Sequence, residues 1–527
     1  MEKKKLLVTT PIYYVNGKPH IGHVYSSLIA DSFARAKRSL WYDVKFSTWV
    51  DENSQKTVQK AQELWKNVYE YLNEMAKVHQ NTWDTYKISY TDFIRTSSEK
   101  HKKVVQMILE KTNKNGYIYK SKYKGLYCVG CEAFKKEDEL IEKDGKKVCP
   151  DHLKEPDQIE EENYFFKLTA FEDFLKNLYK NNPEFVTPST RFNEVKSFVE
   201  QGLEDFSISR EWSNFWIQFP FDPNHVVYVW YDALFNYYTV TLDDNLNELG
   251  YFGENIFHVI WKDIAKFHSI YWPAMLKAVN LPSPKKVFTT WFFTVDGQKM
   301  SKSLWNVIEP IQLLEKYGRD AISLYLFYDI KIGKDGDFSF ARFEDVYNNI
   351  LIWGWGNLVY RVSKLSEKFG INKWKLAIQL PEDIKNNPLL KAILDNKGKE
   401  EIEKYFDQVD YQTYLKYRYE LIQSVNKFIQ DTAPWKLLGK KSEEESEEVR
   451  RKNEEKWKAI LETAVWLIHK INLLWSFFFI EWYEKINNIF GFVHLDNSKN
   501  LDGFEQELYK EEIDIDVKPE IVYKKIE

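Results

Sequence analysis

A parallel α/β sheet, interrupted by an insertion and followed by an all-α bundle, is the architecture this 527-residue sequence predicts. Three patterns carry that expectation: a strand–helix–strand opening, strand-like runs that resume only after about residue 225, and strand signals that nearly vanish after about 345. "KLLVTT" is strand-like and "VNGK" a turn, while "IGHVYSSLIADSFARAKRSL" brings Ile21, Val24, Leu28 and Phe33 near one helical face. "YDVKFSTWV" reads as the next strand, so the opening is a βαβ unit whose ligands belong at the carboxyl ends of the strands. Residues 117–225 break the rhythm with all the cysteines, charged loops and "VTPSTRFNEV", and read as an insertion. The α/β pattern returns in "HVVYVWYDALFNYY", "NIFHVIWKDIAKFHSIYWPAML" and "KKVFTTWFFTV". Beyond it, long amphipathic stretches predict a helical bundle, in which "KKSEEESEEVRRKNEEKWK" reads as a solvated helix end. The expected divisions are 1–116 and 226–345 for the two halves of the sheet domain, 117–225 for the insertion and 346–527 for the bundle.

Composition narrows the class. A content of 44% hydrophobic and 17% aromatic residues supplies a core for two or three domains. "MEKKKLLVTTPIYY" has too short an apolar run for a signal peptide, and "LLWSFFFI" is too short to span a bilayer, so a cytoplasmic protein is expected. A net charge of −5 does not by itself announce a nucleic-acid binder. Three cysteines in so long a chain argue against a disulfide framework and point to metal binding.

"PHIGH" places His20, Gly22 and His23 where the first strand's loop enters a helix. Backbone N–H groups and the helix dipole there favour anions, so the stretch suits a phosphate; two surface histidines near a turn is the bland alternative. In "DGQKMSKS" a turn precedes Lys299 and Lys302, whose ammonium groups could close over a triphosphate and neutralise charge developing on it. A lysine-rich loop is ordinarily just solvated. Both motifs, in this order and each at a strand end, are far less expected by chance than either alone.

With these motifs intact the chain resembles the class I aminoacyl-tRNA synthetases, whose fold is a Rossmann-type parallel sheet. "TTPIYYVNGKPHIGH", "DENSQK", "YVWYDALFNYYT", "KDIAKFHSIYWPAML", "FFTVDGQKMSKS" and "GKDGDFS" narrow the resemblance to the methionyl-tRNA synthetases, from residue 6 to the end. The resemblance implies an L-methionine pocket, with Asp51 on the α-ammonium and Tyr14, Trp230, Ala233, Tyr237 and His268 around the thioether, whose sulfur favours aromatic contact. It also implies that His20, Gly22, His23, Lys262, Asp263, Lys299 and Lys302 handle ATP with its Mg²⁺, that His20, His23, Lys299 and Lys302 carry the catalysis, and that Arg210 faces the adenylate.

Cys128-x2-Cys131 and, after seventeen residues, Cys149-x2-His152 are two close pairs able to complete a tetrahedral Cys3His zinc site. Four protein ligands leave no open position, so one structural Zn²⁺ is expected, holding an inserted knuckle that in this family approaches the tRNA acceptor end. "YRYELIQSVNKFIQDTAPW" places Ile422, Val425 and Ile429 on one helical face, as in any bundle helix. The resemblance assigns its other face, with Gln423, Asn426 and Lys427, to the anticodon; lysine where the family often has arginine lacks the planar fork.

The expected activity is methionine activation by ATP and transfer to the 3′ end of tRNA(Met), with no covalent enzyme intermediate, by a chain expected to be monomeric. A class I synthetase for another apolar amino acid and a catalytically silent tRNA-binding paralogue are the alternatives. One oddity bears on the second: Trp41, Trp49, Trp216, Trp261, Trp291 and Trp305 stand where the family usually carries glycine, and the 20 glycines are about half the number expected at ~7% usage. These tryptophans are expected to be UGA codons read as glycine in the source organism, whereas Trp230 matches a family tryptophan and is expected to be UGG.

Overall fold

The computed structural model describes residues 3–128, 133–135, 137–143, 145–150, 153–211, 216–253, 255–290, 293–299, 307–333, 336–437, 446–499 and 503–521. Its contacts divide the chain into two compact units, Lys5–Ala30 with Lys45–Thr290, and Met1–Lys4 with Asp31–Val44 and Trp291–Glu527. No helix among the described residues is long and apolar enough to cross a membrane.

The first unit is built on the expected parallel sheet. Its strands are β1 (Lys4–Thr9), β2 (Tyr13–Tyr14), β3 (Tyr42–Asp51) and β4 (Asp92–Arg95), then, beyond the insertion's first strands, Val186–Thr187, Ile256–Trp261 and Lys286–Thr290. The order runs Val186–Thr187, Lys286–Thr290, Ile256–Trp261, β1, β3, β2, with β4 against β3. Leu7 pairs with Ile256 and Ile260 with Thr289, all parallel. Both faces of the central strands are covered: Lys286–Thr290 is buried at every residue and Ile256–Trp261 at all but the last. Val186–Thr187 lies inside 117–225, so that stretch is not wholly separate from the sheet; two residues are too few to show a period.

α1 (Ile21–Ser39) follows β2. Its interior has no glycine or proline after Gly22, and Lys37 with Arg38 in the last turn complement the carbonyl end of its dipole. It is buried on almost every side rather than along one stripe. The insertion folds as an antiparallel sheet in which β5 (Ile118–Cys128) pairs with Asp157–Phe166 from Ile118↔Phe166 to Tyr127↔Asp157, and with Ala133–Lys135 on its other edge.

The second unit is mainly helical, as expected after residue 345, with a small two-stranded sheet, Lys373–Lys375 against Glu512–Asp514. Its long helices include α2 (Asn357–Phe369), α3 (Tyr411–Thr432) and α4 (Glu447–Trp475). Ser446 caps α4 by accepting the Val449 N–H at 3.3 Å, and the charged run that follows is solvent-exposed. A buried ionic knot lies in this unit: Asp31 accepts from Arg35 Nε at 2.9 Å and from Arg319 at 2.8 Å, and Arg35 also donates to Asn497.

Candidate active site

At the start of α1 the two histidines are oriented by their own backbone. The Gly22 N–H donates to His20 Nδ1 at 3.1 Å, and the His20 N–H to His23 Nδ1 at 3.2 Å. A neutral imidazole that accepts at Nδ1 carries its proton on Nε2, so each ring is set as an Nε2–H donor. Burial, then the neighbouring His20 and His79, hold His23 well below the usual histidine range, so it stays uncharged near neutrality. The pair therefore offers hydrogen bonds in addition to the helix dipole.

Across the strand ends lies a carboxylate pair. Asp51 ends β3 and is fully buried; its Oδ1 accepts the Asn53 N–H at 3.1 Å and the Thr96 hydroxyl at 3.4 Å. The Asn53 side-chain amide donates to Asp232, which is also fully buried and whose Oδ1 meets no hydrogen-bond donor. Burial, then the charge of Asp51, pushes the Asp232 carboxyl well above its ordinary range. Two carboxyls on one asparagine in a dry site form a seat for a cation. Sequence reading passed over Asp232, which is hidden inside an aromatic helix start.

The expected thioether residues form two clusters. Tyr14 meets Trp230 edge-on at 6.3 Å between ring centroids, and Trp230 stacks on Phe267 at 3.8 Å. Ala233 follows Trp230 in the short helix Val229–Leu234 and is buried. His268 Nδ1–H donates to the Ile264 carbonyl at 3.0 Å, which leaves Nε2 to accept the Tyr237 hydroxyl at 2.8 Å. Burial holds His268 down to about 4, so this bond joins neutral groups. Trp49 and Trp261 complete the surroundings. Trp49 is fully buried, edge-on to Tyr237 at 5.4 Å, with Nε1 donating to the Thr10 carbonyl at 3.4 Å. Trp261 lies 5.0 Å from the His23 ring and 5.6 Å from Tyr13, and its Nε1 donates to Ser26 at 3.3 Å.

Lys262 and Asp263 begin a single 3₁₀ turn directly after Trp261. Arg210 packs over the Tyr228 ring at 4.1 Å and donates to Ser207 and to the Ser209 carbonyl. In the second unit Asp296 and Gly297, at φ 48° and 76°, form the expected tight turn between Phe293–Val295 and Gln298–Lys299, which ends at the backbone of Lys299. Lys302, Trp291 and Trp305 lie outside the described residues, as do Cys131 and His152. Cys128 and Cys149 are buried thiols, and Cys128 pairs with Ala133 across the ladder. The Leu153 N–H returns to the Cys149 carbonyl at 2.8 Å. No cluster of three metal-binding side chains occurs among the described residues, and two of the four expected ligands are not among them.

On α3, Gln423 and Lys427 are exposed and Asn426 is half-buried. Asn426 Nδ2 donates to the Gly354 carbonyl at 3.0 Å. Arg361 of α2 donates to the Asn426 carbonyl at 3.2 Å and to Gln430, and lies 5.9 Å from the Trp435 ring. A guanidinium thus stands on the face where sequence reading found only Lys427; 65 residues of separation hid it.

The family model described as "tRNA synthetases class I (M)" matches residues 6–363. A methionine--tRNA ligase of Thermotoga maritima is 41% identical over 455 residues, 83% of this chain and 69% of that protein; one from Nostoc sp. is 40% identical over 453 residues, 85% and 84% of the two. The fold is also similar to the solved structure of Mycobacterium tuberculosis methionyl-tRNA synthetase in complex with methionyl-adenylate, with a TM-score of 0.86 and 31% identity over 94% of this chain and 95% of that one. The chain belongs to the class I methionine--tRNA ligase family.

Proposed function

We propose that the protein activates L-methionine with ATP and transfers it to the 3′ end of tRNA(Met) in the cytoplasm, acting as a monomer. The methionine carboxylate attacks the α-phosphorus of ATP and pyrophosphate leaves; the terminal ribose hydroxyl of the tRNA then takes the methionyl group. The observation that carries this reading is the pairing of a cation seat, Asp51 with Asp232, and two Nε2–H donors, His20 and His23, within one unit at the carboxyl ends of a parallel sheet. The carboxylates suit the α-ammonium, the Tyr14–Trp230 and Tyr237–His268 pairs the thioether, and the histidines with Gly22, Lys262 and Asp263 the phosphates. Lys299 and Lys302 supply the positive charge that pyrophosphate needs as it leaves, so catalysis is positioning and electrostatic stabilisation. Mg²⁺ bound to ATP neutralises phosphate charge.

Residues 1–116 and 226–345 then serve as the catalytic halves, 117–225 as the connective insertion and 346–527 as the anticodon-binding region. The insertion suits a structural zinc. Cys128 and Cys149 are buried in a small, largely exposed subdomain whose hairpin Ile141–Lys143 and Lys146–Val148 has little core of its own, and each has its motif partner three residues on, Cys131 and His152. Gln423, Asn426 and Lys427, with Arg361 beside them, suit hydrogen bonding to unstacked anticodon bases.

A second reading, a silent tRNA-binding paralogue, is favoured by one observation: the Trp49 indole packs on Thr10 after β1 and the Trp261 indole on Ser26 and His23 in the first turns of α1, where substrate belongs. Charging of tRNA(Met) with labelled methionine separates the readings. The ligase attaches methionine and rejects leucine and valine; the paralogue retains tRNA and charges nothing.

A further inference from the structure

Two tryptophans close helices in a conformation that favours glycine. α1 ends at Ser39 and the helix Gln55–Glu63 two residues before Trp65. Trp41 has φ +70° and Trp65 φ +54°. The Trp65 N–H donates to the Gln62 carbonyl and the Lys66 N–H to the Ala61 carbonyl, both at 3.0 Å; the Trp41 N–H donates to the Arg38 carbonyl at 3.2 Å. These are bonds of the Schellman turn, whose left-handed residue is usually glycine because a Cβ there crowds the backbone. Gly116 and Gly370 hold that place elsewhere in this chain with the same pair of bonds, Gly370 N–H to the Glu367 carbonyl and Ile371 N–H to the Ser366 carbonyl in the second case. Lys87 and Val409 also adopt positive φ, so strain alone does not single out the tryptophans. Exposure of a large apolar side chain does: Val409 is buried and its side chain gains from packing, and Lys87 is an exposed cation, whereas the Trp65 indole is 96% exposed and that of Trp41 40%.

Trp49 and Trp261 depart from ordinary use in an independent way. Both lie at the carboxyl ends of parallel strands, the positions from which backbone approaches a ligand. Their indoles reach back to the Thr10 carbonyl and to Ser26, the first packing on Tyr237 and the second on His23, and so fill space beside residues of that site. Trp230, in contrast, is itself a wall of that site through its stack on Phe267. The composition fits a wholesale exchange, with 20 glycines against the ~37 expected at ~7% usage and 19 tryptophans to make up the difference.

We propose that residues 41, 49, 65 and 261 are glycine in the protein its own cell makes, encoded by UGA read as glycine, and that removing the two indoles at 49 and 261 opens the substrate site. Only the activity arm of the test rests on the ligase reading. In the gene, UGA is expected at 41, 49, 65 and 261 with UGG at 230; UGG at all four positions overturns the proposal. In purified protein, Trp41→Gly and Trp65→Gly are expected to raise Tm, and Trp49→Gly with Trp261→Gly to raise methionine-dependent pyrophosphate exchange by ~10²-fold or more without lowering Tm. A fall in Tm with Trp65→Gly contradicts it, as does a loss of folding with Trp49→Gly, the result expected if that buried indole were native packing. If the chain with tryptophan is as active as the restored one, the ligase reading stands and this proposal fails. If the codons are UGA and Tm rises while neither chain activates methionine, the proposal stands and the ligase reading fails.

Discussion

His23 is made a donor by a single backbone bond, the His20 N–H on its Nδ1, and is kept neutral by burial. In the proposed reaction its contribution to a phosphate is a directed hydrogen bond rather than a charge, with the ammonium groups of Lys299 and Lys302 proposed as the complementary cations. Donors aimed at developing charge typically contribute ~3 kcal/mol or more each. His20→Ala and Lys302→Ala are therefore expected to lower adenylate formation at least ~10²-fold with circular dichroism unchanged; near-normal adenylation in a folded variant removes the residue from the reaction. The position of His20 and His23 at the start of α1 was legible because it is local to a short string. Asp232 was not, because a carboxylate inside "YVWYDALF" acquires meaning only when Asn53, 179 residues away, joins it to Asp51.

At the scale of elements, the opening strand, α1 and β3 were predictable because a short strand-like run gives way to helical spacing and then to a second strand-like run within about fifty residues. Val186–Thr187 escaped notice because sheet membership there is decided by Val287 and Phe288 across the ladder. The proposed zinc site belongs to this scale too: one tightly bound zinc per chain is expected by elemental analysis, lost in Cys131→Ser together with protease resistance of 117–225. A metal-free insertion of unchanged resistance contradicts the site. On α3, Asn426→Ala and Arg361→Ala are expected to weaken tRNA charging about tenfold or more, the effect of losing a hydrogen bond to a charged or well-placed partner, while pyrophosphate exchange stays nearly unchanged. Equal loss in both assays assigns the pair to packing, since Asn426 also ties α3 to the Gly354 carbonyl.

For the molecule as a whole, buried neutral histidines set the pH response. Burial holds His79 and His268 down to about 4 and His101 to about 3, whereas the unfolded chain takes up those protons near 6.5. Below about 6.5 the unfolded state binds more protons, so stability present at neutral pH is lost as pH falls toward 4 and 3, where the native rings protonate as well. Tm is expected to drop between pH 6.5 and 5, and His101→Gln, which replaces the partner of Thr239, to flatten that drop. A Tm constant from pH 7 to 5 contradicts it. The central claim is that this fold activates methionine, and methionine-dependent exchange of labelled pyrophosphate into ATP by the chain carrying Trp49→Gly and Trp261→Gly tests it most directly. The account predicts exchange with methionine and none above background with leucine or valine; a folded, tRNA-binding protein that exchanges with no amino acid contradicts it.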